Sequence, residues 1–157
     1  MQTLVAGGAD PKLTTPNGAT ALMLAAGMDS GTVESRRGIA LIDFGKVETD
    51  NQVLPAVTVA FNLSGEVNAA SQTGDTALHA AVTHRYETVV RFLAGHGADV
   101  NAKNKSGLTP LAALTTQSKG AKPVGLASAG RVIYGDEFSA DDTVRVAALL
   151  RTLGATE

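Results

Sequence analysis

The 157-residue sequence has no cysteine and no tryptophan, and only two tyrosines and four phenylalanines. Without cysteine there is neither a disulfide framework nor a thiolate metal site. With so few aromatic rings, a core has to be built from alanine, leucine and valine, as in small-residue helices that stack closely. A one-sided charge is also missing. Thirteen lysines and arginines oppose 15 aspartates and glutamates, for a net charge of −2, which argues against nucleic acid or an anionic membrane as the default partner. No apolar run is long enough to span a bilayer. Met1-Gln2-Thr3-Leu4 has neither the basic start nor the apolar stretch of a secretory signal. The length fits one domain.

What the chain does have is internal repetition. Gly74-Asp75-Thr76-Ala77-Leu78 returns 33 residues later as Gly107-Leu108-Thr109-Pro110-Leu111, and Gly18-Ala19-Thr20-Ala21-Leu22 is a third copy. A second motif follows the same rhythm: Gly97-Ala98-Asp99-Val100-Asn101-Ala102 is matched by Gly8-Ala9-Asp10. The most regular unit runs from Ser71 to Lys103. Within it Ser71 to Gly74 reads as a turn, and Thr76 to Thr83 as a short helix with Leu78, Ala81 and Val82 on one face. Glu87 to Gly95 reads as a second helix with Val89, Val90, Phe92 and Leu93 apolar, and Gly97 is its stop signal. Ala98 to Lys105 leads, as an extended hairpin, into the next unit.

The spacing from Gly18 to Gly74 is 56 residues, 23 more than the repeat, and from Gly97 to Gly154 it is 57, 24 more. Two units therefore carry inserts of nearly equal size, both between their first and second helices, over about residues 29–52 and 118–141. The helices expected to survive beside them are Leu54–Leu63 and Thr143–Leu153, the latter capped by Asp141 or Asp142. The inserts contain the apolar stretches Ile39 to Phe44, Val124 to Leu126 and Val132 to Tyr134. The plain reading of such inserts is a tolerated, floppy insertion. Disordered segments are usually poor in apolar residues, so the reading set beside it is that both inserts pack partly on the repeats and form a shared surface. The chain divides into a partial leading unit (1–14), a unit with an insert (15–70), a regular unit (71–103) and a terminal unit with an insert (104–157). Because it opens in mid-unit, it reads as a piece of something longer.

A 33-residue period with a T-P-L-H-x-A core is the signature of ankyrin repeats, and the chain resembles that family over nearly all of its length outside the inserts. The resemblance implies an all-α solenoid in which each hairpin is followed by two antiparallel helices. It implies non-catalytic protein recognition through the hairpin tips and the inner-helix face. Carried onto this sequence, the exposed contact positions are Gln72, Thr73, Asp75, Thr83, His84, Lys103, Lys105, Ser106 and Leu108, with Pro16, Asn17, Ala19 and Met28 in the first unit. It also implies that His79 bonds within its repeat. Pro110 keeps the family proline, whereas Ala21 and Ala77 replace it. Met23 and Ala112 stand where the histidine would be, and Leu114 stands where a small alanine is usual. Arg85 occupies the inter-helix turn position at which glycine supplies a positive φ, so it should be strained there and Arg85→Gly should stabilise. Thr20 to Ala26 is similar, more loosely, to long bacterial ankyrin proteins with an insertion after the inner helix.

No motif in the sequence points to chemistry. His79 and His84 are five apart and share no helix face for zinc. His96 precedes a helix-stop glycine, where a cation is favoured. Gly38 to Lys46 fails as a phosphate loop, because six residues rather than four separate Gly38 from Gly45 and Val47 replaces the Ser or Thr. Gly120 to Gly130 has no strand-turn-helix context and reads as a loop. Asp136, Glu137, Asp141 and Asp142 lack calcium-loop spacing. Lys103, Lys105, Lys119, Lys122 and Arg131 read as a solvated surface, and no nucleophile motif surrounds any serine. The expectation is a protein-binding module without catalysis, cofactor or metal, with another protein as its partner. The alternatives are a regulatory or scaffold domain cut from a larger enzyme or membrane-associated protein, and a small-ligand site formed by the inserts.

Overall fold

The computed structural model describes residues 10, 12–28, 50–118, 123–126, 132–134 and 140–156. In chain order the elements are α1 (Ala21–Ala25), α2 (Asp50–Ser64), α3 (Ala77–Thr83), α4 (Glu87–Gly95), α5 (Pro110–Ser118), β1 (Pro123–Leu126), β2 (Val132–Tyr134) and α6 (Ala140–Thr152). Helices α1, α3 and α5 pack as an inner layer and α2, α4 and α6 as an outer one, each inner helix also touching the outer helix that follows it. The fold is an ankyrin-type α-solenoid. Residues 29–49 lie between α1 and α2, and residues 119–139 between α5 and α6.

Each inner helix starts at a buried threonine. Thr20 Oγ1 accepts the Met23 N–H at 3.3 Å, and Thr109 Oγ1 accepts the Ala112 N–H at 3.2 Å; these bonds satisfy a backbone donor that a helix start leaves unpaired. At α3 the arrangement is richer. The Thr76 N–H donates to His79 Nδ1 at 3.2 Å, which leaves the ring proton on Nε2, and Nε2 donates to the Leu108 carbonyl of the next unit at 3.1 Å. His79, 3% exposed, thus bonds within its own repeat and also across to the next.

Four helices end in one way. After α1, α3, α4 and α6 comes a residue with positive φ (Gly27, Arg85, Gly97 and Gly154). The amide after that residue turns back to the helix: Met28 to the Met23 carbonyl, Tyr86 to Ala81, Ala98 to Leu93 and Ala155 to Leu150, at 2.9–3.0 Å. This closure satisfies carbonyls that the last turn would otherwise leave unpaired. Arg85, at φ 59°, is the expected non-glycine residue in that left-handed position.

The apolar rows repeat with the sequence. Leu22, Leu78 and Leu111 are buried along the inner layer, and Val57, Val90 and Ala147 along the outer one. Leu114 is fully buried. The paired helix α6 offers Ala147 where α4 has Val90, so the terminal pair carries its bulk on the inner rather than the outer helix. Phe92 is only half-buried and meets Phe61 edge-on at 5.7 Å.

Several helix limits differ from expectation. Helix α4 runs as anticipated, and α3 begins one residue after its threonine cap. Helix α2 starts at Asp50 rather than Leu54, which moves Pro55 out of the first turn. The proline is in the second turn, where its missing N–H forfeits a single backbone bond. Helix α6 starts at Ala140, so Asp141 and Asp142 occupy its first turn instead of capping it; negative charge there still complements the helix dipole. Within Gly120 to Gly130, expected as a loop, β1 is a strand that pairs antiparallel with β2, Gly125 opposite Ile133 and Leu126 opposite Val132. Valine, isoleucine and tyrosine in β2 favour that extended backbone. Ile39 to Phe44, Lys119, Lys122, Arg131, Asp136 and Glu137 lie outside the described residues.

Candidate functional site

The hairpin tips are joined across the units by backbone bonds. The Gln72 amide donates to the Asn17 carbonyl, and the Lys105 amide to the Thr73 carbonyl, both at 2.9 Å. Gln72 Nε2 adds a bond to the Pro16 carbonyl at 2.7 Å. Gly74 has φ 81°, and a Cβ on it would lie 2.8 Å from the Lys105 amide. The close approach of the two tips therefore requires glycine here.

Beside this row of tips, the inner layer forms an open groove of about 550 Å³. Its floor follows the repeat register: Ala80 and Ala113 are equivalent positions, as are Thr83 and Thr116. Asp75, Asn104 and Leu108 form the wall nearest the tips, and Met28 and His84 stand toward the helix ends. The His84 ring is held from two sides. It stacks on Tyr86 with centroids 5.5 Å apart, and it lies so close to Gly27 that a Cβ there would sit 2.5 Å from its Cδ2. Glycine at 27 thus serves both the helix closure and the seating of the neighbouring unit's histidine.

The predicted contact residues fall into two sets. Met28, Asp75, Thr83, His84 and Leu108 line the groove. Asn17, Gln72, Thr73, Lys103, Lys105 and Ser106 are exposed at the tips or on the hairpin approaching them, as is Pro16. Ala19 is a correction. It is 2% exposed, because the core cluster that includes Leu22 and Met23 covers its methyl. Ala80, Ala113 and Thr116 were missed, although shifting Thr83 by one period points to Thr116. Asn104 was missed too. Its side chain accepts from the Ser106 and Leu108 amides at 3.0 Å and donates to Asp75 Oδ1 at 2.8 Å, so one residue shapes its own hairpin and ties it to the previous one.

His84 is the residue after α3 rather than part of it. His96 follows α4, with Nδ1 2.7 Å from the Phe92 carbonyl and its ring against Phe61 and Phe92. Among the described residues, no group of three or more histidines and carboxylates is placed to hold a metal ion. No helix among them is long and apolar enough to cross a membrane. A second groove, about 620 Å³, lies between α4 and α6 and is lined by Arg91 and Arg145. Both arginines face carboxylates of their own helices, Glu87 at 2.8 Å and Asp142 at 4.0 Å.

A family model described as ankyrin repeats in three copies matches residues 1–104 and again 47–120. Together with the capped helix pairs, the tip-to-tip hairpin bonds and the His79 network, this match establishes that the chain belongs to the ankyrin-repeat family, whose repeats generally serve as protein–protein interaction modules.

Proposed function

We propose that the chain is a non-catalytic recognition module that takes a segment of another protein along its inner-helix groove. The tip residues Asn17, Gln72, Thr73, Lys103, Lys105 and Ser106 then meet the partner's flanks. The observation that carries this reading is the groove itself, which crosses three units without interruption and is floored by small residues in repeat register, Ala80 with Ala113 and Thr83 with Thr116. Small side chains let a partner approach the helices closely, and half-buried Met28 and Leu108 offer apolar area to cover.

The test is selection of binders from a displayed library of random peptides, first on the unmodified chain and then on Ala113→Arg. Ala113 is half-buried on α5, and arginine is a good helix former. The variant should keep its melting temperature while its long side chain occupies the groove. Loss of the selected peptides by about tenfold or more is expected. Peptides that bind both proteins equally would place recognition elsewhere.

A further inference from the structure

We infer that the groove selects a partner segment carrying a lysine or arginine next to apolar side chains, with Asp75 as the anchor for that cation. The inference rests on the groove reading above and adds to it the chemistry of the occupant.

Asp75 is the one carboxylate among the described residues that line the groove. Its two oxygens are held by neutral donors: Oδ1 accepts from Asn104 Nδ2 at 2.8 Å, and Oδ2 from Thr73 Oγ1 at 2.7 Å. These bonds fix the carboxylate without neutralising it. A carboxylate offers about four acceptor directions, so both oxygens retain capacity for a further donor. Among the described residues the ion pairs are Lys12 with Glu66, Arg91 with Glu87 and Arg145 with Asp142. None of them uses Asp75, and the exposed Lys103 and Lys105 nearby form no ion pair with it. The aspartates of the second repeated motif, Asp10 and Asp99, accept amides two residues ahead in their own turns and line neither groove.

The surroundings sharpen the choice of partner. Asp75 is half-buried beside Leu108 and Ala80. A charge interaction is stronger there than on an open surface, because less water screens it. Half-buried Leu108, in the same wall of the groove, also provides apolar area for the methylene stem of a lysine or arginine, whose head would reach the carboxylate. A charged head hydrogen-bonded to a carboxylate that is already oriented is among the stronger polar contacts. By contrast, the arginines of the outer groove already face carboxylates of the same chain, so that groove presents no comparable unbalanced charge.

The experiment is the same peptide selection, read for composition and repeated on Asp75→Asn and Asp75→Lys. Peptides enriched on the unmodified chain should carry lysine or arginine beside apolar residues. They should bind Asp75→Asn at least about tenfold more weakly, and Asp75→Lys should enrich acidic peptides in their place. Peptides lost on Ala113→Arg but indifferent to Asp75→Asn would overturn the cation anchor while leaving the groove reading intact. Peptides insensitive to Ala113→Arg, or no enrichment at all, would overturn both. Because the composition of the peptides is measured on the unmodified chain, the inference stays open to refutation even if an Asp75 variant folds poorly.

Discussion

At the scale of single residues, His79 concentrates the most structure in one side chain. It is buried, receives the Thr76 amide on one ring nitrogen and donates from the other to the Leu108 carbonyl. Its role within the repeat was legible because the histidine sits where the ankyrin motif carries one. The bond to Leu108 was not, because 29 residues separate the two and only stacking brings them together. His79→Ala leaves the Leu108 carbonyl and the Thr76 amide without this partner. The expected loss is about 1–3 kcal/mol of stability, read from a urea unfolding curve. A midpoint matching that of the unmodified chain would show that the network contributes nothing net. The equivalent positions make no such link: the Met23 thioether accepts only its own Thr20 amide at 3.4 Å, and Ala112 carries no polar group.

At the scale of elements, the inter-helix closure explains why Arg85 persists where glycine is the cheaper residue. The left-handed backbone at φ 59° was expected from the resemblance to ankyrin repeats, in which glycine is usual between the two helices, and is present. Left out of that expectation was the side chain, whose Nε donates to Thr143 Oγ1 on α6 at 2.8 Å and whose Nη1 donates to the Thr83 carbonyl at 3.2 Å. The simple prediction that Arg85→Gly stabilises by about 1 kcal/mol counts only backbone strain. The lost bond to Thr143 is worth about the same, and glycine also loosens the unfolded chain. We therefore expect Arg85→Gly to lower stability slightly, by about 0.5–1 kcal/mol, rather than raise it. Thr143→Val should destabilise the unmodified chain by about 1 kcal/mol and have a much smaller effect once Arg85 is glycine. A double-mutant cycle measures this coupling, and purely additive effects would refute it.

At the scale of the whole molecule, the hairpins are joined on the outer-helix side by a second set of links, and these are unequal. Asn68 donates to the Gly97 carbonyl at 2.9 Å and accepts the Asp99 amide at 2.8 Å. Asn101, one period later, donates to the Gly154 carbonyl at 3.1 Å and accepts from Thr156. In the partial leading unit the equivalent position is Lys12, and the link becomes an ion pair to Glu66 at 3.2 Å with both side chains more than half exposed. Exposed pairs are weak and screened by salt. In a solenoid, stability is a sum over neighbouring interfaces, so the first interface has less polar support at this point than the next two. Asn68→Ala should lower stability by about 1 kcal/mol, whereas Lys12→Ala should lower it by clearly less, and less still at high salt. Denaturation at low and high ionic strength tests the order. A larger loss from Lys12→Ala would reverse this view of the array.

The family, the layered helices and the positions of the turns were determined by the sequence alone, because each rests on local chemistry that recurs at a fixed period. Threonine caps a helix, glycine accepts a positive φ, and leucine or valine spaced by a helical turn forms a buried stripe. The unusual Arg85 conformation followed from its place in the ankyrin unit that the chain resembles. What the tertiary structure decided are the facts that depend on contact between units. Ala19 turned inward although its equivalents Asp75 and Leu108 line the groove, because burial depends on what neighbouring chain segments cover. Asn104 reached back to Asp75, and Arg85 reached forward to Thr143, across separations in sequence that no period predicts. The groove belongs to the same class, since its floor and walls come from three units and exist as one surface only after those units have stacked.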